Sequence, residues 1–199
     1  MRLREQFRSY ARDVILEAGE DVLAAQGVHA ARMEEVAQKA RVAVGTIYNL
    51  VGDRDALVAE ILRQRHEELV ALLNETLEAT RGLTFVAQAE TCLAELLAYF
   101  RGHQRFFRMA LESERGPACA HKRLAQETLA KMREIFAQLI ARGIAEGVLR
   151  EAVRELAPSL LMGVMREIIL LDIEAQHPST ARERVAEVLA IFIQGAGAR

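Results

Sequence analysis

What most constrains this chain is the spacing of its apolar residues. They recur at three- and four-residue intervals from end to end, and no stretch alternates with period two for long. Such spacing lays apolar side chains along one side of a helix and leaves little for a sheet to use. The composition narrows it further: 3 Pro, no Trp, and a predominance of Ala, Leu, Glu and Arg, all strong helix formers. With 199 residues, 51% of them hydrophobic, the chain can bury a sizeable core, as one compact domain or as a small head on a larger helical body. The expected fold class is all-α.

Periodicity and punctuation divide the chain. A first helix is expected over about Ser9–Gln26, with Ile15, Ala18, Val22 and Ala25 on one face and Gly27 just past its end. A short second helix carries Met33, Val36, Ala37 and Ala40. Arg41, Val42 and Ala43 form a break, and a third short helix starts near Val44 and holds Ile47 and Tyr48. Asp53 is the expected N-cap of a long fourth helix. Longer helices are expected at roughly 54–80, 84–101, 103–114, 119–146, 153–175 and 180–194, separated by Gly82, Gly102, Gly116-Pro117, Gly147 and Pro178. Thr180 and Glu183 have capping-box spacing.

Charge limits the function classes. With 26 basic and 28 acidic side chains the chain has no general basic coat, so contact with nucleic acid has to come from a local patch. One candidate is residues 1–12, where Arg2, Arg4, Arg8 and Arg12 face only Glu5. The whole segment 1–60 is not basic, with 8 Lys/Arg and 10 Asp/Glu. Cys92 and Cys119 are far apart and read as reduced thiols in a helical interior. Residues 1–12 lack the apolar run of a signal peptide. The most apolar stretch, Leu156–Ile173, contains Pro158, Arg166 and Glu167, which argues against a membrane helix. The expectation is a cytoplasmic protein with no membrane partner.

The segment Glu35–Leu57, EVAQKARVAVGTIYNLVGDRDAL, has the layout of a helix-turn-helix: two short helices, a tight turn, and a small residue, Ala37, where they cross. Val42 and Ile47 are the expected plugs beneath it. Val44, Gly45, Thr46, Tyr48 and Asn49 are left to face outward. The residues Val36-Ala37, Ala40-Arg41-Val42-Ala43, Gly45-Thr46-Ile47-Tyr48, Val51, Arg54-Asp55 and Leu57, with Ile15-Leu16, Ala18 and Gly27 upstream, resemble the signature of the TetR family of transcription regulators.

The resemblance covers about 45 residues and implies an N-terminal three-helix DNA-binding domain over 7–55, followed by a helical effector-binding and dimerisation domain over 56–199. It implies a repressor that binds double-stranded operator DNA as a homodimer and is released by a small apolar or amphipathic effector, with no enzymatic role, no cofactor and no metal. In such a protein Gly45 lets the backbone approach DNA, and Thr46 meets a base edge or a thymine methyl. Tyr48 donates to a phosphate, Asn49 reaches a base or phosphate, and Val44 lies on the same helix. Arg54 stands where Lys is common and clamps a phosphate. The chain departs from the pattern at three places. Arg41 replaces the turn glycine, which costs about 1 kcal/mol if the site needs positive φ. Ala43 replaces a serine cap, forgoing roughly 1 kcal/mol. Ala31 replaces a threonine, where neighbouring Arg32 can supply the phosphate contact by charge.

In the body, Leu160, Leu161, Val164, Ile168 and Leu171 form one apolar stripe, and Val185, Val188, Leu189 and Phe192 another. The resemblance assigns such stripes to a dimer interface, with Leu161, Val164, Ile168, Val185, Leu189 and Phe192 as candidates. Packing within one subunit explains them nearly as well. Candidates for an effector pocket are Phe85, Cys92, Leu96, Phe100, Phe107, Phe136, Met162 and Met165. His29, His66, His103, His121 and His177 are scattered without HxH or HxxxH spacing, and no GxSxG, P-loop or GxGxxG is present. Two rival functions remain open: a helical small-molecule-binding protein or enzyme, and a regulator that works by protein contacts without DNA.

Overall fold

The structure, a computed structural model, describes the backbone of residues 2–115, 119–175 and 180–197 and the side chains of residues 5–111, 123–172 and 180–197. Gly116-Pro117, His177 and Pro178, and the side chains of Cys119 and His121, lie outside the described residues. The chain forms α1 (Arg2–Gln26), α2 (Met33–Ala40), α3 (Val44–Leu50), α4 (Arg54–Ala79), α5 (Phe85–Gly102), α6 (Gln104–Arg115), α7 (Cys119–Ala145), α8 (Ala157–Ala175) and α9 (Ala181–Ala196), with a 3-10 turn at Glu151–Val153. The all-α expectation holds.

Two boundaries differ from the periodicity. The first helix starts at Arg2, not Ser9, and residues 5–10 are exposed along its added turns. The eighth starts at Ala157, not 153. Pro158 has no N–H to give and is tolerated in a first turn, so a helix begun four residues earlier would be broken by it. The expected caps form. The Asp53 carboxylate accepts from the Ala56 N–H at 2.8 Å, and Thr180 and Glu183 make a reciprocal box.

The chain divides into two compact units. The first comprises Met1–Glu67 with Arg105–Gln126; the second comprises Glu68–Gln104 with Glu127–Arg199. In the first, α1 packs on α2 and α3 over a core that includes Ile15, Leu23, Val36, Ile47, Leu57 and Phe106. Charges sit at its margins. Glu20 pairs with Arg65 at 2.7 Å. Asp21 receives Lys39 of α2 at 2.8 Å and also Arg105 of α6. Ala37 is buried where α2 meets α3, and Val42 is half-buried in the turn.

The turn after α2 is left-handed at Arg41 (φ 56°, ψ 40°), the only non-glycine among the described residues with positive φ. The Val42 N–H reaches the Ala37 carbonyl at 3.0 Å and the Arg41 N–H that of Gln38 at 3.2 Å, so two of the end carbonyls of α2 are satisfied by the turn. The geometry a glycine would adopt freely is thus kept with a side chain present.

In the second unit α5 packs on α8 and α9, with Phe85, Leu93, Leu96, Phe136, Leu161 and Leu189 buried. Buried Gln88 is fully engaged: its amide donates to the Leu77 carbonyl at 2.8 Å and its oxygen accepts from Arg142 at 2.8 Å. Glu146 caps α5 through the Phe85 N–H at 2.7 Å, and Thr84 adds its hydroxyl. Buried Asp172 is paired by the Arg101 guanidinium through two nitrogens.

Two stability predictions follow from the first unit. Arg41→Gly removes the left-handed strain, about 1 kcal/mol, and should raise the thermal midpoint by roughly 2–4 °C in a calorimetric scan; a fall in midpoint would contradict the turn assignment. The second concerns His66, whose ring meets Phe106 edge-on at 5.4 Å and whose buried Nδ1 has no hydrogen-bond partner. Burial pushes its pKa down to about 4. An unfolded imidazole titrates near 6.5, so between those values the unfolded chain binds a proton that the folded chain refuses. The contribution is intact above about pH 6.5 and declines as pH falls toward 4. Urea melts at pH 7.5 and 5 should show the parent losing about 2 kcal/mol more than His66→Leu.

Candidate nucleic-acid interface

The seven residues of α3 are presented by one buried side chain and two turns. Ile47 is fully buried, anchoring the helix from beneath. Gly45, Tyr48 and Asn49 are exposed, and Tyr48 shows half its surface (52%). Val44 and Thr46 are half-buried, so of the five residues expected to face outward these two are partly covered. Nothing crowds the position a Gly45 side chain would occupy, so that surface is open to an approaching backbone. Ala43 starts the helix in an extended conformation (ψ 144°) without a side-chain cap, and the Thr46 N–H bonds to its carbonyl at 2.8 Å.

Beside α3 lies a groove of about 350 Å³ whose walls include Arg32, Glu34, Tyr48, Asp53, Arg54 and Asp55. It brings three of the expected DNA-facing residues, Arg32, Tyr48 and Arg54, to one place. Arg32 precedes α2 as an exposed N-cap with no side-chain cap bond. Arg54 opens α4. Both helices thus begin at this groove, α2 without a side-chain cap and α4 capped by Asp53.

The Arg54 guanidinium is held in place. One Nη donates to the His29 carbonyl at 2.7 Å, the other lies 3.6 Å from Asp55, and the buried Nε has no partner. Asp53 is engaged in capping α4. The groove therefore has an oriented cation, an exposed one in Arg32, and a phenol. That is equipment for phosphate oxygens, with no nucleophile–base pair among the named groups. Sequence reasoning missed the His29 carbonyl, because a backbone acceptor in a turn carries no sequence signal. It also missed Asp21, whose two cationic partners are distant along the chain.

The body residues divide differently. Phe85, Cys92, Leu96, Phe100, Phe136 and Met165 are buried in the second unit and Met162 is half-buried there, but Phe107 belongs to the first unit. Burial pushes the Cys92 thiol up to about 11, so it is a packing residue and not a reactive one. Of the dimer candidates, Leu161, Val185 and Leu189 are buried in their own chain, Ile168 and Phe192 are half-buried, and Val164 is exposed. Among the described residues of α8 and α9, the large apolar side chains left uncovered are Leu160, Val164 and Leu171 of α8 and Ile191 of α9. Among the described residues no three His, Cys, Asp or Glu side chains converge as a metal site. No described helix is long and apolar enough to cross a membrane.

Comparison with known proteins agrees with this geometry. Residues 15–61 match the family model of the bacterial regulatory proteins of the tetR family. The uncharacterized HTH-type transcriptional regulator YhgD of Bacillus subtilis is 27% identical over 183 residues, covering 90% of this chain and 93% of its own. Among solved structures, FadR from Bacillus subtilis in complex with stearoyl-CoA shares 18% identity over 92% of this chain and 97% of its own, with a TM-score of 0.79. The TetR-family regulator PfmR from Thermus thermophilus shares 19% over 90% and 97%, with a TM-score of 0.77. Residues 15–61 thus carry the DNA-binding module of the tetR family of bacterial regulatory proteins, and the chain as a whole shares the helical fold of these solved structures.

Proposed function

We propose that the protein is a repressor that reads a two-fold operator as a homodimer and releases it when a small amphipathic molecule occupies the helical unit. The observation that carries the DNA-reading part is the groove in which Arg32, Tyr48 and Arg54 meet beside the open face of α3. The groove grips phosphates and fixes register, while Thr46, Gly45 and Asn49 meet base edges. Support for the dimer is the row Leu160, Val164, Ile168 and Leu171, at helical spacing on α8, three of them exposed.

Support for effector control is that α4 is one unbroken helix whose first half belongs to the DNA-reading unit and whose second half belongs to the other. In a dimer the two recognition helices must stand one DNA turn apart, roughly 34–36 Å. A ligand that tilts α4 alters that separation. A coupling of about 1–3 kcal/mol lowers operator affinity roughly 5–150-fold, and by linkage DNA weakens ligand binding equally. Because FadR of Bacillus subtilis was solved with stearoyl-CoA, long-chain acyl-CoA thioesters are the first compounds to test. The buried apolar residues Leu96, Phe136 and Met165 suit an acyl chain.

The DNA reading is tested on an operator selected from random duplexes. Tyr48→Phe should weaken binding to all sequences alike, because a phosphate contact carries no base information, whereas Thr46→Ala should change sequence preference. Parent-like behaviour of both variants would contradict the role given to α3. Val164→Glu should convert dimers to monomers in sedimentation and weaken operator binding; a monomeric parent at micromolar concentration would remove the dimer. For the effector, titrating oleoyl-CoA with and without operator should give affinities that differ by the coupling factor. Equal affinities would rule out allosteric release and leave DNA binding standing.

A further inference from the structure

The side of α3 that faces away from the core is set by its anchor. Successive residues of a helix turn by about 100°, so with Ile47 buried, Gly45 and Asn49 point almost directly away from it, and Thr46 and Tyr48 stand to either side. The exposures agree: Gly45, Tyr48 and Asn49 are exposed and Thr46 is half-buried. Tyr48 belongs to the groove with Arg32 and Arg54, which leaves Gly45, Asn49 and Thr46 as one continuous strip. Gly45 has no side chain and open space around it, so the amide of Asn49, one turn further on, stands at the middle of that strip.

The chemistry of the strip is narrow. The helix reads VGTIYNL, without Lys, Arg, Asp, Glu or Gln. Guanine is most often read at O6 and N7 by Arg or Lys, and cytosine at its N4 amine by Asp or Glu, so α3 itself is not equipped for either. An Asn amide matches adenine instead: its oxygen accepts from N6–H and its NH2 donates to N7. Thr46 offers a methyl group, which suits the C5 methyl of thymine. No described residue hydrogen-bonds the Asn49 side chain, so a base that engages it displaces no internal bond. The nearest cations along the chain stand outside the helix: Arg41 in the left-handed turn before it, and Arg54, bonded to the His29 carbonyl, after it. From Gly45 to Asn49 the helix rises about 6 Å, close to two base-pair steps of roughly 3.4 Å.

We propose that Asn49 is the specificity-determining residue of α3: its amide pairs with N6 and N7 of one adenine per half-site, and the Thr46 methyl packs on the thymine of a neighbouring pair, so the operator carries A·T pairs where α3 enters the major groove. This rests on the DNA-reading function and names the class of sequence that function takes. The groove of Arg32, Tyr48 and Arg54 sets how firmly any duplex is held, and Asn49 sets which duplex is preferred. Gly45 is part of the device, because a larger side chain there would hold the Asn49 amide off the base edges.

The test uses the full chain and the operator it selects from random duplexes. Repeating the selection with Asn49→Ala should erase the preference at one base pair per half-site, and in the parent's operator that pair should be A·T. Changing it to G·C should weaken the parent about tenfold or more, while Asn49→Ala binds both duplexes alike. At the same position 7-deazaadenine, which lacks the N7 acceptor, should weaken the parent about fivefold and leave Asn49→Ala indifferent. Uracil in place of the neighbouring thymine removes only the methyl; it should weaken the parent about fourfold and leave Thr46→Ser indifferent. The thermal midpoint of Asn49→Ala should match the parent's, because the residue is exposed. Equal weakening of all sequences by Asn49→Ala would make Asn49 a phosphate contact and overturn the inference alone. So would a G·C pair at the erased position, or an A·T preference that survives in Asn49→Ala, which would assign the reading to Arg32, Arg41 or duplex shape. Indifference of the parent to uracil overturns the role given to Thr46. A parent that binds no duplex overturns the DNA-reading function together with the role of Asn49.

Discussion

A seven-residue helix does not hold itself together in water; its few internal hydrogen bonds cannot offset the ordering of its backbone. α3 therefore exists only because Ile47 is buried against α1 and α2 and because the turn at Arg41 delivers the chain at the right angle. The DNA reading proposed for α3 hangs on that burial. Neither turn residue helps: Arg41 sits in a conformation that suits glycine, and Ala43 leaves the first N–H groups of α3 without a side-chain cap. Unused stabilisation lies at the very element proposed to meet the operator. Free N–H groups at the start of α3 are also groups a phosphate oxygen can take, so an uncapped recognition helix gives up solitary stability and keeps donors for its partner.

The same trade is visible at Arg54. Its guanidinium is tied to a backbone carbonyl of the turn before α2, and its Nε is buried without a partner. A cation fixed by backbone has little freedom left to lose when an anion arrives. Arg32, exposed at the opposite wall, has more.

The family-bearing residues were legible in the sequence because their chemistry is local. Gly45-Thr46-Ile47-Tyr48, the Asp53 cap and the Thr180–Glu183 box each act within four residues, and spacing alone finds them. What spacing cannot find is the neighbour. Leu160 and Leu161 belong to one apolar stripe, yet one is exposed and the other buried, because a single step along a helix turns the side chain by about 100° and only the packing of α5 decides which is covered. Phe107 reads like the other aromatic residues of the body but lies in the other unit. Asp21 looks like a solvated helix carboxylate and is instead where Lys39 and Arg105 meet. The start of α8 was misplaced although its signal, Pro158, was in view, since apolar rhythm continues smoothly through a residue that the backbone cannot carry.

The unit that carries the helix-turn-helix is discontinuous: it comprises residues 105–126 as well as 1–67. Phe106 and Met109 are buried in it, and Arg105 completes the charge cluster on Asp21. During synthesis, this unit is not complete when its helix-turn-helix leaves the ribosome; it waits until nearly two-thirds of the chain has emerged, when about a third of the other unit has been made. A nascent or prematurely terminated chain that carries the whole family signature lacks a finished head.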